Sequence, residues 1–286
     1  MAGSPHDENT YIVDPTSGAE MARLIDRGRL ITQGMGGLLA ERTDVSGIRR
    51  VLDLACGPGG WAIEMAFAHP EIEVIGVDIS PVMIEYAQAQ AKVRGLDNTL
   101  FRTMDILNPL DFPRNAFDLV NACFLSGFIF PAMWPSLLQE CLRITHPGGT
   151  IRLMESDEWG ITSSPAFEKM MSLCIQAFQL SKRTFLPEGR HIGITPMLAH
   201  MLREAGCINV RKKTHIIDYS AGSEAYHGFY KNWQVFFKLL QPFLIKWKVT
   251  TQEEIDQLYT RMLVEMYSDD FDATALFFTV WGEKPR

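Results

Sequence analysis

The chain has 286 residues, 47% hydrophobic and 21% charged, with a mean hydropathy of −0.02. That balance excludes disorder, collagen and a repeat solenoid, and the length can bury a generous core without disulfide staples. The net charge of −7 argues against broad binding to a nucleic-acid backbone, which requires many clustered cations.

The N-terminal MAGSPHDENT is polar and lacks a charged-then-apolar signal layout. Asp14 to Arg42 follows helical spacing up to a glycine-rich break at Gly34, Gly36 and Gly37. From Arg49 the pattern changes to short apolar runs alternating with helices. Val51 to Ala55 and Ile72 to Val77 read as buried strands, with a helix at Trp61 to Ala68 between them. Ser80 caps the next helix, Pro81 takes its first position and Gly95 stops it. Three more strands fall at Thr99–Thr103, Phe117–Asn121 and Thr150–Met154, with Pro131 to Ile144 helical. This alternation predicts right-handed crossovers and a parallel, doubly wound α/β sheet.

Beyond Glu155, Ser164-Pro165 opens an amphipathic cap helix to about residue 182, with Phe167, Met170, Met171, Cys174 and Phe178 on one face. A helix at Pro196–Ala205 stops at Gly206 and feeds an extended run, Ile208 to Tyr219. Helices follow at Ser223–Leu240 and Thr251–Tyr267, and Ala275 to Gly282 closes the chain as a strand. The last two strands look like a pair split by a helical insertion. The expected organisation is a lid over 1–45, a core over 46–220 and 273–286, and a substrate-capping insertion over 221–272.

The five cysteines, Cys56, Cys123, Cys141, Cys174 and Cys207, form no CxxC or Cys/His cluster, which reads as reduced thiols with no structural metal. The longest apolar stretch, Leu119 to Trp134, is interrupted by Asn121, Ser126 and Pro131 and is too short for a membrane span. A cytoplasmic chain that is not membrane-embedded is expected. From Lys182 to Lys248 there are 11 Lys/Arg against 4 Asp/Glu. That segment either favours an anionic ligand or is a basic solvated face.

The most informative residues are Leu52-Asp-Leu-Ala-Cys-Gly-Pro-Gly-Gly, at a strand end directly before a helix. Gly57 and Gly59 permit a tight turn and close approach of a ligand to backbone. With Asp78 twenty-one residues after Gly57, the same spacing also satisfies a dinucleotide fingerprint, so the glycines do not choose the cofactor. Asp53 argues for a cation. A carboxylate at the mouth of a pyrophosphate loop would repel that anion, whereas S-adenosylmethionine carries an ammonium and a sulfonium. Asp78 suits the ribose diol of either cofactor. Asp105 ends the third strand, where it can accept from an adenine amino group while Met104 and Ile106 pack the ring. Each aspartate is also a residue type that favours caps and turns.

These motifs resemble those of class I S-adenosylmethionine-dependent methyltransferases, of the type related to the ubiquinone-biosynthesis enzymes. The matching stretches are Val51 to Gly60, Gly76-Val-Asp-Ile-Ser, Met104-Asp105, Phe117-Asp-Leu-Val-Asn and Leu142 to Thr150. Ala55 and Cys56 stand where the commonest glycine motif differs. The resemblance implies a Rossmann-like sheet of seven strands in the order 3-2-1-4-5-7-6 with the last antiparallel. It also implies S-adenosyl-L-methionine as cofactor, S-adenosyl-L-homocysteine as product and a cofactor site at Asp53, Ala55, Gly57, Gly59, Asp78, Ile79, Met83, Met104, Asp105, Ile106 and Asn121. Tyr11 and Gln33, on the N-terminal lid, are further candidates.

Methyl transfer from a sulfonium needs alignment and exclusion of water more than a special nucleophile. The insertion carries an aromatic stripe in which Tyr226, Tyr230 and Trp233 are candidates for an acceptor pocket, although such a stripe also packs a cap onto a sheet. For a hydroxyl acceptor, His191, His227 and Glu155 are the candidate bases, with His6, His69 and His146 read as structural or exposed. The expected function is O- or C-methylation of a small hydrophobic or aromatic metabolite in natural-product or quinone-like biosynthesis, with no nucleic-acid partner and homo-oligomerisation left open. A nicotinamide-dependent oxidoreductase and a non-catalytic cofactor-binding relative are the alternatives.

Overall fold

The computed structural model describes residues 11–14, 16–42, 44–158 and 160–286; His6 lies outside them. Helix α1 (Gly18–Met35) begins at Ser17, whose hydroxyl accepts from the Glu20 N–H. It ends where Gly36 and Gly37 return their N–H groups to Gln33 and Thr32. The helix therefore ends at the expected glycine-rich break, where the left-handed Gly36 stops it. The alternating core follows as β1 (Arg50–Leu54), α2 (Gly60–Ala68), β2 (Glu73–Asp78), α3 (Pro81–Val93), β3 (Thr99–Thr103), β4 (Phe117–Cys123), α4 (Trp134–Ile144) and β5 (Thr145–Glu155). Its start at Thr145 makes β5 longer than expected, since Thr145 pairs with Phe117 across a register shift that the glycines at 148 and 149 allow.

The remainder is β6 (Ile161–Thr162), α5 (Pro165–Leu180), α6 (Thr195–Ala205), β7 (Ile208–Asp218), α7 (Tyr226–Lys246), α8 (Gln252–Met266) and β8 (Ala273–Glu283). Helix α7 continues past the expected Leu240 and carries Pro242 inside it. The sheet runs β3-β2-β1-β4-β5-β8, with β7 and the short β6 both pairing with β8. Strands β1 to β5 pair in parallel and β8 is antiparallel to β5 and β7. The order of the longer strands is the expected one. The strand count is eight rather than seven, because the two residues of β6 add to β8 beside β7. On β7 the basic residues Arg211, Lys212 and Lys213 are exposed, the usual protection of a strand edge.

Alternating side chains divide the sheet between two cores. Val51, Val74 and Leu119 pack against α2 and α3, whereas Leu52, Ile75, Val120 and Ile151 pack against α4 and α6. A third cluster joins α1, α5, α7 and α8, built on Phe167, Phe178, Phe229 and Phe237. No helix of the described residues is long and apolar enough to cross a membrane.

On the α2 face one row is polar. Asp53, Asn121 and Arg152 are partners in register on β1, β4 and β5, and all three are buried. The Asn121 amide donates to Asp53 Oδ1 at 2.7 Å, and Arg152 Nη1 donates to Asn121 Oδ1 at 2.7 Å. Arg152 Nε reaches Glu41, in the segment after α1, at 2.7 Å, and both side chains are almost wholly out of solvent. The row therefore fastens the N-terminal segment to the floor of the sheet. Arg152→Met leaves Glu41 buried without its cation, and about 3–5 kcal/mol of stability is expected to be lost. Denaturant unfolding checks this, and a midpoint equal to the wild type would contradict it.

Candidate functional site

Strand β1 runs into a loop that the left-handed region shapes: φ is +51° at Ala55, +54° at Gly57 and +79° at Gly59. Ala55 occupies this conformation at a cost of about 1–2 kcal/mol, in the place where glycine is commoner. The loop is held by the Gly57 N–H donating to Asp78 Oδ2 at 2.9 Å and by the Cys56 N–H donating to Val77 O at 2.9 Å. A side chain at Gly57 would meet only Leu24, at 3.9 Å, because this glycine faces open space. At Gly59 it would lie 2.7 Å from Ala87 Cβ and 2.9 Å from Phe101, so that glycine is required by packing.

Above the carboxyl ends of β1, β2 and β3 lies a cavity of about 210 Å³. Three acids from successive strand ends line it: Asp53, Asp78 and Asp105. Burial pushes the Asp53 carboxyl up to about 7, against the opposing pull of Asn121 and Arg152. Burial also raises Asp78, while N–H donors from Ser80 and Gly57 hold it down. Asp105 accepts from the Leu107 N–H and the Asn108 amide, a turn-forming arrangement, and still lines the cavity. Ala55, Gly57, Ile79, Met83, Met104 and Ile106 complete the near wall. Of the other expected cofactor residues, Tyr11 lines the cavity; Gly59 and Asn121 lie behind it, and Gln33 points to solvent while its neighbour Thr32 lines the wall.

A second cavity of about 80 Å³ shares Tyr11, Arg27, Ile31 and Phe124 with the first and reaches the aromatic stripe of α7. Trp233 lines it, as do Phe229 and Phe236. Tyr226 and Tyr230 line neither cavity. Tyr226 donates to Met266 O at 2.9 Å in the cap, and the Tyr230 ring stands 6.0 Å from that of Tyr267. His227 and His191 also line neither cavity, and His191 is half exposed with Nδ1 2.6 Å from Glu158. Glu155 is buried behind the wall, where it accepts from the Leu125 and Ser126 N–H groups and the Ser126 hydroxyl. Burial pushes its carboxyl up to about 7 despite these donors. No group of His, Cys, Asp and Glu among the described residues could hold a metal.

The far wall of the first cavity comes from α1 and from the turn after β4: Leu24, Arg27, Ile31 and Thr32, with Phe124 and Phe128. Their spacing along α1 marks one helical face, a signal that periodicity contains without saying what the face covers. Phe124 has φ +58°, which no local sequence cue announces.

Residues 51–149 match a methyltransferase domain family. A demethylmenaquinone methyltransferase of Geobacillus kaustophilus is 32% identical over 207 residues, covering 67% of this chain and 82% of that relative. The methyltransferase pytC of Aspergillus terreus is 26% identical over 254 residues, covering 83% and 72%. Among solved structures, a phosphoethanolamine N-methyltransferase of Haemonchus contortus with S-adenosylhomocysteine superposes with a TM-score of 0.55 at 18% identity, over 94% of this chain and 58% of that one. The YcgJ protein of Bacillus subtilis superposes at 0.53 with 15% identity, over 89% and 99%. These two likenesses concern the fold. The oxidoreductase alternative finds no support among these relatives. The chain belongs to the class I S-adenosylmethionine-dependent methyltransferases, with S-adenosylmethionine as its cofactor and a small molecule as its methyl acceptor.

Proposed function

We propose that the acid-lined cavity holds the cofactor and that the chain methylates oxygen or carbon of a hydrophobic or aromatic metabolite, in quinone-like or natural-product biosynthesis in the cytoplasm. The observation that carries this reading is three aspartates at successive strand ends around a glycine whose missing side chain leaves open space. That donor set fits a cationic nucleoside. Asp78 would accept from a ribose diol, Asp53 would attract the ammonium of the amino-acid tail, and Met104 and Ile106 would flank the adenine, with Asp105 toward its amino group. When bound, the cofactor supplies a methyl group on a positively charged sulfur, reactive without any metal-bound water or covalent enzyme intermediate.

The chain's own part is alignment and exclusion of water, which together can be worth about 7 kcal/mol or more. Residues of α1 face the strand ends from one side, and the aromatic side of α7 extends the apolar wall toward an acceptor. Demethylmenaquinone, named for the bacterial relative, is an acceptor of that aromatic kind. No histidine lines either cavity among the described residues. This favours an acceptor that arrives as a carbon nucleophile or already ionised.

Calorimetry on the full chain with S-adenosylhomocysteine and with NADH tests the reading, and only the first is expected to bind in the micromolar range. Asp78→Ala should cost about 1.5–3 kcal/mol of that binding. The Asp53 carboxyl must ionise to meet a cation, and its pKa before binding is about 7. Affinity should therefore fall about tenfold as pH drops from 8 to 6, and Asp53→Asn should flatten the dependence. Preference for NADH, or a flat wild-type profile with Asp78→Ala unaffected, would overturn the assignment.

A further inference from the structure

The two cavities differ in charge. The first is lined by Asp53, Asp78 and Asp105 with Arg27 at its far wall, whereas the second has no carboxylate among its described lining residues and two arginines, Arg23 and the shared Arg27. The arginines are not equivalent. Arg23 is held by both oxygens of Glu20, with Nε at 2.7 Å and Nη2 at 2.6 Å, and its Nη1 donates to Asn232 Oδ1 at 2.9 Å. One helical turn on, Arg27 makes no ion pair among the described residues, and its Nε is sealed from water without a hydrogen-bond partner. Burial and the neighbouring Arg23 push its guanidinium down to about 10. The Phe124 ring faces it, 4.5 Å from the guanidinium carbon.

A cation–π contact returns less than sequestering an unpaired charge costs. Asn232 adds a second orphan. Because Oδ1 is committed to the Arg23 donor, the amide orientation is fixed, and Nδ2 is left buried without an acceptor. The Trp233 indole N–H is likewise buried without a hydrogen-bond partner, and its ring supplies apolar wall to the same cavity.

We propose that the second cavity is the acceptor subsite and that it recognises an anionic oxygen on an aromatic or apolar body, such as a phenolate, enolate or carboxylate, with Arg27 as counter-ion and the Asn232 amide as second donor. This rests on the cofactor occupying the acid-lined cavity. Arg27 stands where the cavities meet, so the carboxylate of the cofactor's own tail is the competing anion. Asn232 lines only the second cavity, which favours the acceptor. An acceptor bound as its oxyanion has already lost its proton, in keeping with cavities that have no histidine among their described lining residues. The cofactor's positive charge and the acceptor's negative charge then meet at the shared wall and are neutralised together as the methyl group moves.

The test uses benzoate and its neutral isostere benzamide as probes, titrated by NMR line broadening against the full chain with and without saturating S-adenosylhomocysteine. The wild type should bind benzoate at least tenfold more tightly than benzamide. Arg27→Met removes the unpaired cation, and Asn232→Asp puts a carboxylate into the same cavity while still accepting from Arg23. Each should abolish the preference and raise the thermal midpoint of the unliganded protein, and Asn232→Asp, at a residue that lines only the second cavity, should leave S-adenosylhomocysteine affinity within about twofold. Absence of a benzoate preference in the wild type overturns the proposal. So does a preference surviving both substitutions, or an Arg27→Met variant that loses cofactor affinity instead. Failure of S-adenosylhomocysteine to bind the wild type at all would overturn the cofactor assignment, and is read separately.

Discussion

A buried carboxylate is expensive, and the architecture around Asp53 is arranged to tolerate one. Asp53, Asn121, Arg152 and Glu41 form a chain in which each polar group has a partner of complementary character. Such a chain is stable only when every member is satisfied, since a half-paired network in low dielectric is worse than an apolar one. Three of its members are neighbours on adjacent strands and the fourth belongs to the N-terminal segment. The constraint that keeps an acid at the tip of β1 is thus the same one that brings α1 over the strand ends. The cavity between them follows from that docking.

Electrostatics then divides the space. Acids from the strand tips line one cavity, while the region under α7 presents donors without acceptors. The partition suits a reaction in which a positively charged donor meets an electron-rich acceptor and charge is lost on the way to products. Burial strengthens both halves, since field screening by water is weak there. Ala55 and Phe124, both in the left-handed region, border this space. Backbone strain at such positions persists where surrounding packing fixes it.

The core was legible in the sequence for reasons that are local. Strand, glycine turn and helix succeed one another within a few residues, so Val51 to Gly60 announces its own geometry, and the acids at 53, 78 and 105 fall at strand ends by period alone. The closing antiparallel pair is readable from two extended runs flanking helices, but the two-residue β6 is too short for any pattern. What the sequence hides is set by contacts between distant segments. Arg23 meets Asn232 across 209 positions, and whether Tyr226 or Trp233 turns toward a cavity depends on how α7 sits against α1 and α5. Periodicity marks the aromatic side of α7 without saying that Trp233 lines a cavity while Tyr226 is tied to Met266. The candidate bases failed to converge for a similar reason. His191 and His227 lie in the right region of the chain, but their side chains are placed by Glu158 and by the Tyr226 ring, 5.0 Å away.

The most direct check is a crystal structure of the chain grown with S-adenosylhomocysteine at pH 8, where Asp53 is ionised. The nucleoside should sit over the tips of β1, β2 and β3, both ribose hydroxyls donating to Asp78 and the amino group within about 4 Å of Asp53. A ligand lodged away from those strand ends, or an Asp53 carboxyl turned from the amino group, would contradict the account.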